Sequence, residues 1–393
     1  MKCLLDEATL FLTSIYHSIA PDKIEDHEPP LGHFLIQPEQ DTNITNRNSW
    51  DGNLLIQLNE NIRNKYRVID LIRYGKSSCL YKCQDIENPT QFYSIKVLKL
   101  GHESESNEIQ FLQLLNSNEI SGKQYIENYL DLFEYQGHSC LLMQLLSHSI
   151  EDSINYTIPL TPMLQTIRHY LNQVLTGISY VHSQNIIHSD IKPLNILFRD
   201  ETMKQLQIVD FSLSTYNNNS NRPIQTRSYS SPEILLDLPY NELIDIWSIG
   251  CVAAELYLNF VPFGCDTDFD CVHAIAALLG PIDPDMVILS SVWWKYFDVS
   301  PYGFSYKADP YTVLLQRHSN RSVFTTGSSH KYLLKDYIRL RKVPRDDEEN
   351  NLIESFTDLV LRMLTIDPEQ RISANQALQH PFIVGNHFDS IWK

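Results

Sequence analysis

His188-Ser189-Asp190-Ile191-Lys192-Pro193-Leu194-Asn195, followed fifteen residues later by Asp210-Phe211, decides how this chain is read. An Asp, a Lys two residues on, an Asn five residues on and a second Asp beyond a short apolar strand suit the holding of a nucleotide. Asp190 can accept a hydroxyl proton, Lys192 can neutralise a migrating phosphoryl group, and Asn195 and Asp210 can share magnesium. The alternative is a polar loop between core strands, and the rest of the chain weighs against it. His188 reads as a core histidine packed on Phe211 rather than an acid or base.

Upstream, Arg73-Tyr74-Gly75-Lys76-Ser77-Ser78-Cys79-Leu80 lies between two strand patterns. A loop covering phosphates needs little side-chain bulk, so that backbone N–H groups can approach oxygen. Of a G-x-G-x-x-G frame only Gly75 survives, with Arg73 and Ser78 at the outer positions; alone this is no better than an ordinary hairpin. Lys96, in Tyr93-Ser94-Ile95-Lys96, sits on an otherwise apolar strand and needs a partner, for which Glu108 in the following helix is the candidate. Such a pair would aim the ammonium at phosphates, whereas a surface Lys and a solvated Glu are the bland reading; their order ahead of Asp190 favours the former.

Downstream, Thr226-Arg227-Ser228-Tyr229-Ser230-Ser231-Pro232-Glu233 precedes a helix. Glu233 stands in a stretch that reads as buried and so requires a countercharge, with Arg371 as the candidate. Asp245 opens the most apolar helix of the chain and is expected to accept backbone N–H bonds from the Asp190 loop, a scaffolding role.

The chain has 393 residues, 43% of them hydrophobic and 20% charged, which suits a soluble protein with a large core. Its net charge of −17 and lack of a basic stretch argue against nucleic acid as the main partner. The acidity suits a basic protein substrate and equally suits simple solubility. Seven cysteines with no CxxC pair suggest reduced thiols, hence the cytoplasm or nucleus. The apolar N-terminal run contains Asp6 and Glu7, so it makes a poor signal peptide. Leu4, Ala8, Phe11, Ile15 and Ile19 recur at helical spacing and predict an amphipathic helix. No span reaches transmembrane length without a charge, and no membrane role is expected.

Residues 1–65 read as an N-terminal extension, irregular and rich in Pro, Asp, Asn and Glu over 21–65. Strands are predicted at Tyr66–Ile72, Cys79–Gln84, Phe92–Leu98, Tyr129–Tyr135 and Cys140–Leu145, with a helix at Ser106–Leu115. Beyond Ser147 the pattern is mainly helical, with long amphipathic stretches at 162–183, 242–260 and 352–364. The asparagine run 217–221 predicts a flexible loop, about 284–350 reads as an insertion, and 384–393 as a tail. The implied fold class is α+β, with a small sheet-rich lobe (66–146) and a larger helical lobe (147–383).

Over 66–383 these residues resemble a eukaryotic protein kinase, and within that group the dual-specificity tyrosine-regulated (DYRK) family, especially its YAK-type branch. Tyr66-Arg67-Val68-Ile69-Asp70-Leu71, His188-Ser189-Asp190, Leu238-Pro239-Tyr240 and Met363-Leu364-Thr365-Ile366-Asp367-Pro368 carry the likeness, with Lys82-Cys83-Gln84 and Ile244-Asp245-Ile246-Trp247-Ser248. The resemblance implies the two-lobed protein kinase fold, ATP and magnesium as cofactors, and Ser/Thr hydroxyls of proteins as acceptors. It also implies that Asp190 and Lys192 are catalytic and that Asn195 and Asp210 bind metal. Ile72, Gly75, Leu80, Ser94, Lys96, Glu108, Met143, Gln144, Leu146 and Leu197 are implied nucleotide-site residues. Among these, Met143 would guard the back of the adenine pocket, Gln144-Leu145-Leu146 would be the hinge, and Leu80, Ser94 and Leu197 would enclose the adenine. Thr226 matches the hydroxyl that Ser/Thr kinases place against the catalytic Asp and Lys.

Several positions depart from that pattern. Arg73 and Ser78 replace two loop glycines, and Ser212 replaces the Gly after Asp210-Phe211. Asn221 and Pro223 stand where the family has activation-loop tyrosines, so no tyrosine-dependent self-activation is expected. Ser189 and Ser230 stand where many relatives carry Arg, which removes a basic pocket for an activation-loop phosphate and the basis for a Pro preference after the acceptor. These losses support a second reading, a scaffold that binds nucleotide or partners without phosphoryl transfer; a small-molecule kinase is a third. Persistence of all six of Lys96, Glu108, Asp190, Lys192, Asn195 and Asp210 favours the active enzyme.

Overall fold

The computed structural model describes residues 52–75, 77–100, 103–117, 120–155, 164–217, 225–301, 303–318 and 332–385. It divides into two compact units. The smaller holds the described residues up to Ser106 with Asn128–Leu145; the larger holds Asn107–Glu127 and the chain from Leu146 onward.

The smaller unit is one antiparallel sheet of β1 (Asn61–Ile62), β2 (Tyr66–Tyr74), β3 (Ser78–Asp85), β4 (Phe92–Leu98), β5 (Tyr129–Tyr135) and β6 (His138–Gln144). The strand order is β1-β2-β3-β4-β6-β5. Strand β3 buries Cys79, Tyr81, Cys83 and Asp85 in strict alternation, the two-residue period of a sheet with one core face. Strand β4 is buried continuously from Ser94 to Leu98, as a central strand covered on both faces would be. Part of the segment read as an irregular tether belongs to this sheet. Leu54, Ile56 and Ile62 join its core, and the Tyr81 hydroxyl donates to the Leu54 carbonyl while accepting the Ile56 N–H, both at 3.1 Å. Polar neighbours conceal these three residues from a composition-based reading.

The larger unit begins in α1 (Glu103–Ser117) and continues through α2 (Ile150–Asn155), α3 (Leu164–Ser183), α4 (Pro232–Leu235), α5 (Leu243–Leu258) and α6 (Asp268–Leu279). Short ladders pair β7 (Ile186–Ile187) with β10 (Thr215–Tyr216) and β8 (Ile196–Phe198) with β9 (Leu206–Ile208). Helix α3 buries Ile167, Tyr170, Leu171, Val174, Leu175, Ile178 and Val181, an apolar stripe at helical spacing. Helix α5 is buried on every side from Ile244 to Leu258. At Gly250 a Cβ would lie 2.9 Å from Leu364, so glycine permits this close approach.

Within the stretch read as an insertion, the described residues form α7 (Pro284–Leu289), a hairpin of β11 (Phe297–Ser300) and β12 (Gly303–Tyr306), α8 (Pro310–His318) and α9 (Leu334–Leu340). The chain then forms α10 (Asp347–Met363), α11 (Ala374–Leu378) and α12 (Pro381–Val384).

One expectation is corrected. Cys265 and Cys271 form a disulfide, with Cα atoms 5.5 Å apart, whereas Cys79, Cys83, Cys140 and Cys251 are free and buried. The turn into α6, closed by a Thr267–Asp270 capping box, reverses the chain and brings the two sulfurs together. The predicted N-terminal helix, Asn221, Pro223 and the 386–393 tail lie outside the described residues.

Candidate active site

The Asp190 loop leaves β7 and enters β8 through a single 3-10 turn, Pro193–Asn195, with proline at its first position. The β8–β9 ladder then returns the chain, and Val209 N–H donates to the Asn195 carbonyl at 3.0 Å. This local hairpin explains the fixed interval between Asn195 and Asp210.

Asp245, at the start of α5 and fully buried, accepts N–H bonds from His188 (2.8 Å) and Ser189 (2.9 Å) and a bond from His182 Nε2 (2.9 Å). It thereby takes the scaffolding role expected from sequence. Ser189 adopts φ 71, a left-handed conformation that costs energy in a non-glycine residue and that these bonds hold in place. His188 packs edge-on against Phe211, with ring centroids 4.7 Å apart.

Both Asp190 oxygens are engaged. Asp190 Oδ2 lies 2.9 Å from Lys192 Nζ and accepts from Asn195 Nδ2 at 3.0 Å. The Thr226 hydroxyl donates to Asp190 Oδ1 at 2.5 Å and accepts from Lys192 Nζ at 3.0 Å. A carboxylate oriented in this way, with spare lone pairs, can still accept a hydroxyl proton.

Asn195 Nδ2 also donates to the Asp190 carbonyl, which fixes the amide and leaves Oδ1 buried without a hydrogen-bond partner. A buried, unsatisfied oxygen is costly, and a hard cation is the ligand that would satisfy it. Asp210 adopts φ 68 and ψ 76 at the head of the Phe211–Leu213 turn, and its carboxylate makes no cap bond there. Its N–H donates to Glu127 Oε2 at 3.0 Å. The residues present therefore fit magnesium.

In the same unit, Glu108 is 1% exposed on α1, and Leu197 on β8 bridges to Ser149. Leu146 opens the segment that leads to α2. In the smaller unit Lys96 is 7% exposed on β4 and opposite Leu80. Ser94 lies opposite Met143 and its hydroxyl donates to the Gln144 carbonyl at 3.2 Å. Ile72 lies on β2, whose end leads into Gly75. Gly75 N–H donates to the Ser78 carbonyl at 2.9 Å, and its own carbonyl accepts from Asn53 Nδ2 at 3.1 Å.

Sequence reading missed three features of the site. Glu127 and Asn53 act through tertiary approach, and nothing in their local sequence marks them. Glu255 on α5 accepts from Tyr229 Oη at 2.7 Å; burial, with Glu151 adding repulsion, pushes its carboxyl up to about 8. Glu233 and Arg371, paired from sequence, form a fully buried bidentate bridge at 2.6 and 2.8 Å.

A buried Asp190 bonded to Lys192, Thr226 and the Asn195 amide, with Asp210 closing the β8–β9 hairpin that follows, is the arrangement of a phosphotransferase. The family model described as protein kinase domain matches residues 66–383, and the chain belongs to that family. It is similar to "Dual specificity protein kinase CLK4" of Homo sapiens, 31% identical over 359 residues that cover 84% of this chain and 69% of that protein. It is also similar to "Serine/threonine-protein kinase ppk15" of Schizosaccharomyces pombe, 28% identical over 339 residues, 82% of this chain and 63% of that one. Both relatives are named as protein kinases, in keeping with the expected resemblance. Among the described residues no helix is long and apolar enough to cross a membrane.

Proposed function

We propose that this protein kinase transfers the γ-phosphate of ATP to Ser or Thr hydroxyls of protein substrates. The observation that carries the reading is the Asp190–Thr226–Lys192 triangle beside the unsatisfied Asn195 Oδ1. Asp190 accepts the acceptor hydroxyl's proton and orients its oxygen for in-line attack. Lys192, already seated on Asp190, balances charge on the transferring group. Asn195 and Asp210 would hold magnesium, which would supply neutralisation of the phosphate oxygens. Lys96 and Glu108 are assigned to the phosphate end of the nucleotide. Ile72, Gly75, Leu80, Ser94, Met143, Gln144, Leu146 and Leu197 are assigned to the nucleotide.

Thr226 in contact with both Asp190 and Lys192 supports a Ser/Thr acceptor, as does the printed name of the fission-yeast relative. The six charged and amide groups required for transfer are all present, which supports an active enzyme over a scaffold. The test is transfer of labelled γ-phosphate from ATP with magnesium to mixed basic and Pro-containing peptides, beside Asp190→Asn. Transfer by the wild type, reduced by about three orders of magnitude or more in the variant, is expected. Silence of both, with nucleotide still raising the melting temperature, would overturn the reading.

A further inference from the structure

Glu127 lies at the end of the larger unit's first segment, 8% exposed, and no role for it follows from the kinase motifs. Its carboxylate oxygen Oε2 accepts the backbone N–H of Asp210 at 3.0 Å, across 83 residues of sequence. We propose that Glu127 is a positioning residue that locks the metal-binding Asp210 and ties its orientation to helix α1. The inference rests on the proposed function in one respect, the assignment of Asp210 to magnesium.

Three observations support the proposal. First, Asp210 is a non-glycine residue at φ 68, ψ 76, a conformation that persists only where the surroundings hold it. No side-chain cap bond stabilises the turn that follows, so the bond to Glu127 acts where the backbone is strained. Second, Glu127 is 8% exposed, and burial protects the bond that its side-chain oxygen accepts from competing water.

Third, Glu127 is itself held rigidly. Its N–H donates to the Ile208 carbonyl at 2.9 Å, and Ile126 forms a parallel bridge with Ile208. Its carbonyl accepts from Asn116 Nδ2 at 3.3 Å, and that same amide donates to the Leu112 carbonyl at 2.8 Å. Leu112 and Asn116 lie on α1, the helix that carries Glu108. A continuous chain of bonds therefore runs from α1 through Asn116 and Glu127 to the Asp210 amide. Displacement of α1 would be passed to the residue assigned to magnesium, by contacts that lie wholly within one compact unit.

The experiment compares full-length wild type with Glu127→Ala, Glu127→Gln and Glu127→Asp. Amide exchange over 208–214 is followed in metal- and nucleotide-free protein. Magnesium dependence of ATP binding is then measured by calorimetry, and kcat and KM for ATP are determined. Glu127→Ala is expected to speed exchange at Asp210 about tenfold or more and to raise the magnesium half-saturation by about tenfold. Glu127→Gln, which keeps an acceptor oxygen, should stay within about threefold of wild type on both readouts. Should the alanine variant fail to fold, Glu127→Asp takes its place, since its shorter arm loses the bond without emptying the site. Unchanged exchange and magnesium dependence in a folded Ala or Asp variant would overturn the proposal. Equal impairment in Gln and Ala would do so too, because the acceptor would then not be what matters. Exchange is read without metal, so a wild type that transfers no phosphate would sink the kinase reading alone.

Discussion

Thr226 stands between opposite charges, accepting from Lys192 and donating to Asp190, so its hydroxyl braces the ion pair of the two groups proposed to act on phosphoryl transfer. Removing a hydrogen bond to a charged group costs about 1.5–3 kcal/mol, or about 10- to 100-fold in rate where the bond serves the transition state. Thr226→Val should lower kcat by that factor with the fold intact, while Thr226→Ser retains most activity; steady-state kinetics with ATP saturating decides. Glu255 allows a second prediction at this scale. Its folded carboxyl titrates near 8 because it is buried, well above the ordinary glutamate value of about 4.3 in the unfolded chain. The folded state thus holds the proton more tightly, and the stabilisation from this group is complete below about pH 4.3 and lost as pH rises through 8. Wild type should lose a few kcal/mol, ~2–4, between pH 5 and 8.5 that Glu255→Gln does not lose. Denaturant melts across that range would show converging curves; parallel ones would refute the assignment.

At the level of elements, Arg371 ties three pieces of chain together through one side chain. Its guanidinium pairs with Glu233 of α4, donates to the carbonyls of Leu243, Thr365 and Ile366, and covers the Trp247 ring at 5.1 Å. Removing one member of a buried pair strands the other charge, at a cost of about 3–5 kcal/mol. Arg371→Met should destabilise by that amount, and Arg371→Lys should recover little, since an ammonium cannot supply the planar fork. Urea titration of each variant provides the check. This pair was legible in sequence because an acidic residue in an apolar stretch demands a countercharge. The Asp190–Asn195 set was legible for a different reason, since one turn of chain fixes its spacing. Strand β3 and helix α3 were legible from periodicity, which records the face each element buries. What stayed hidden depends on chain reversal over long separations. The Glu127–Asp210 bond spans 83 residues, and Leu54 and Ile56 gain their meaning only when Tyr81 on β3 reaches them. Cys265 and Cys271, only 6 residues apart, stayed hidden for another reason: they match no metal or CxxC spacing, and the capped turn into α6 pairs them.

For the molecule as a whole, a net charge of −17 sets a long-range field that a single contact cannot. Charge of one sign draws oppositely charged ligands to the surface and accelerates their capture, and added salt screens it over a Debye length of about 10 Å at 0.1 M. Two sources of substrate preference can therefore be separated. Discrimination by field alone should collapse with ionic strength, while discrimination by a desolvated local contact should survive it. The acidity of this chain favours the first for basic peptides. With one Ser acceptor flanked by either Lys and Arg or Glu and Asp, the basic peptide should have about tenfold higher kcat/KM at 20 mM salt, and the ratio should fall to about two at 0.5 M. KM for the peptide should carry most of the change, since steering acts on encounter rather than on the Asp190 chemistry. A preference that persists at 0.5 M would instead assign recognition to fixed contacts near the acceptor.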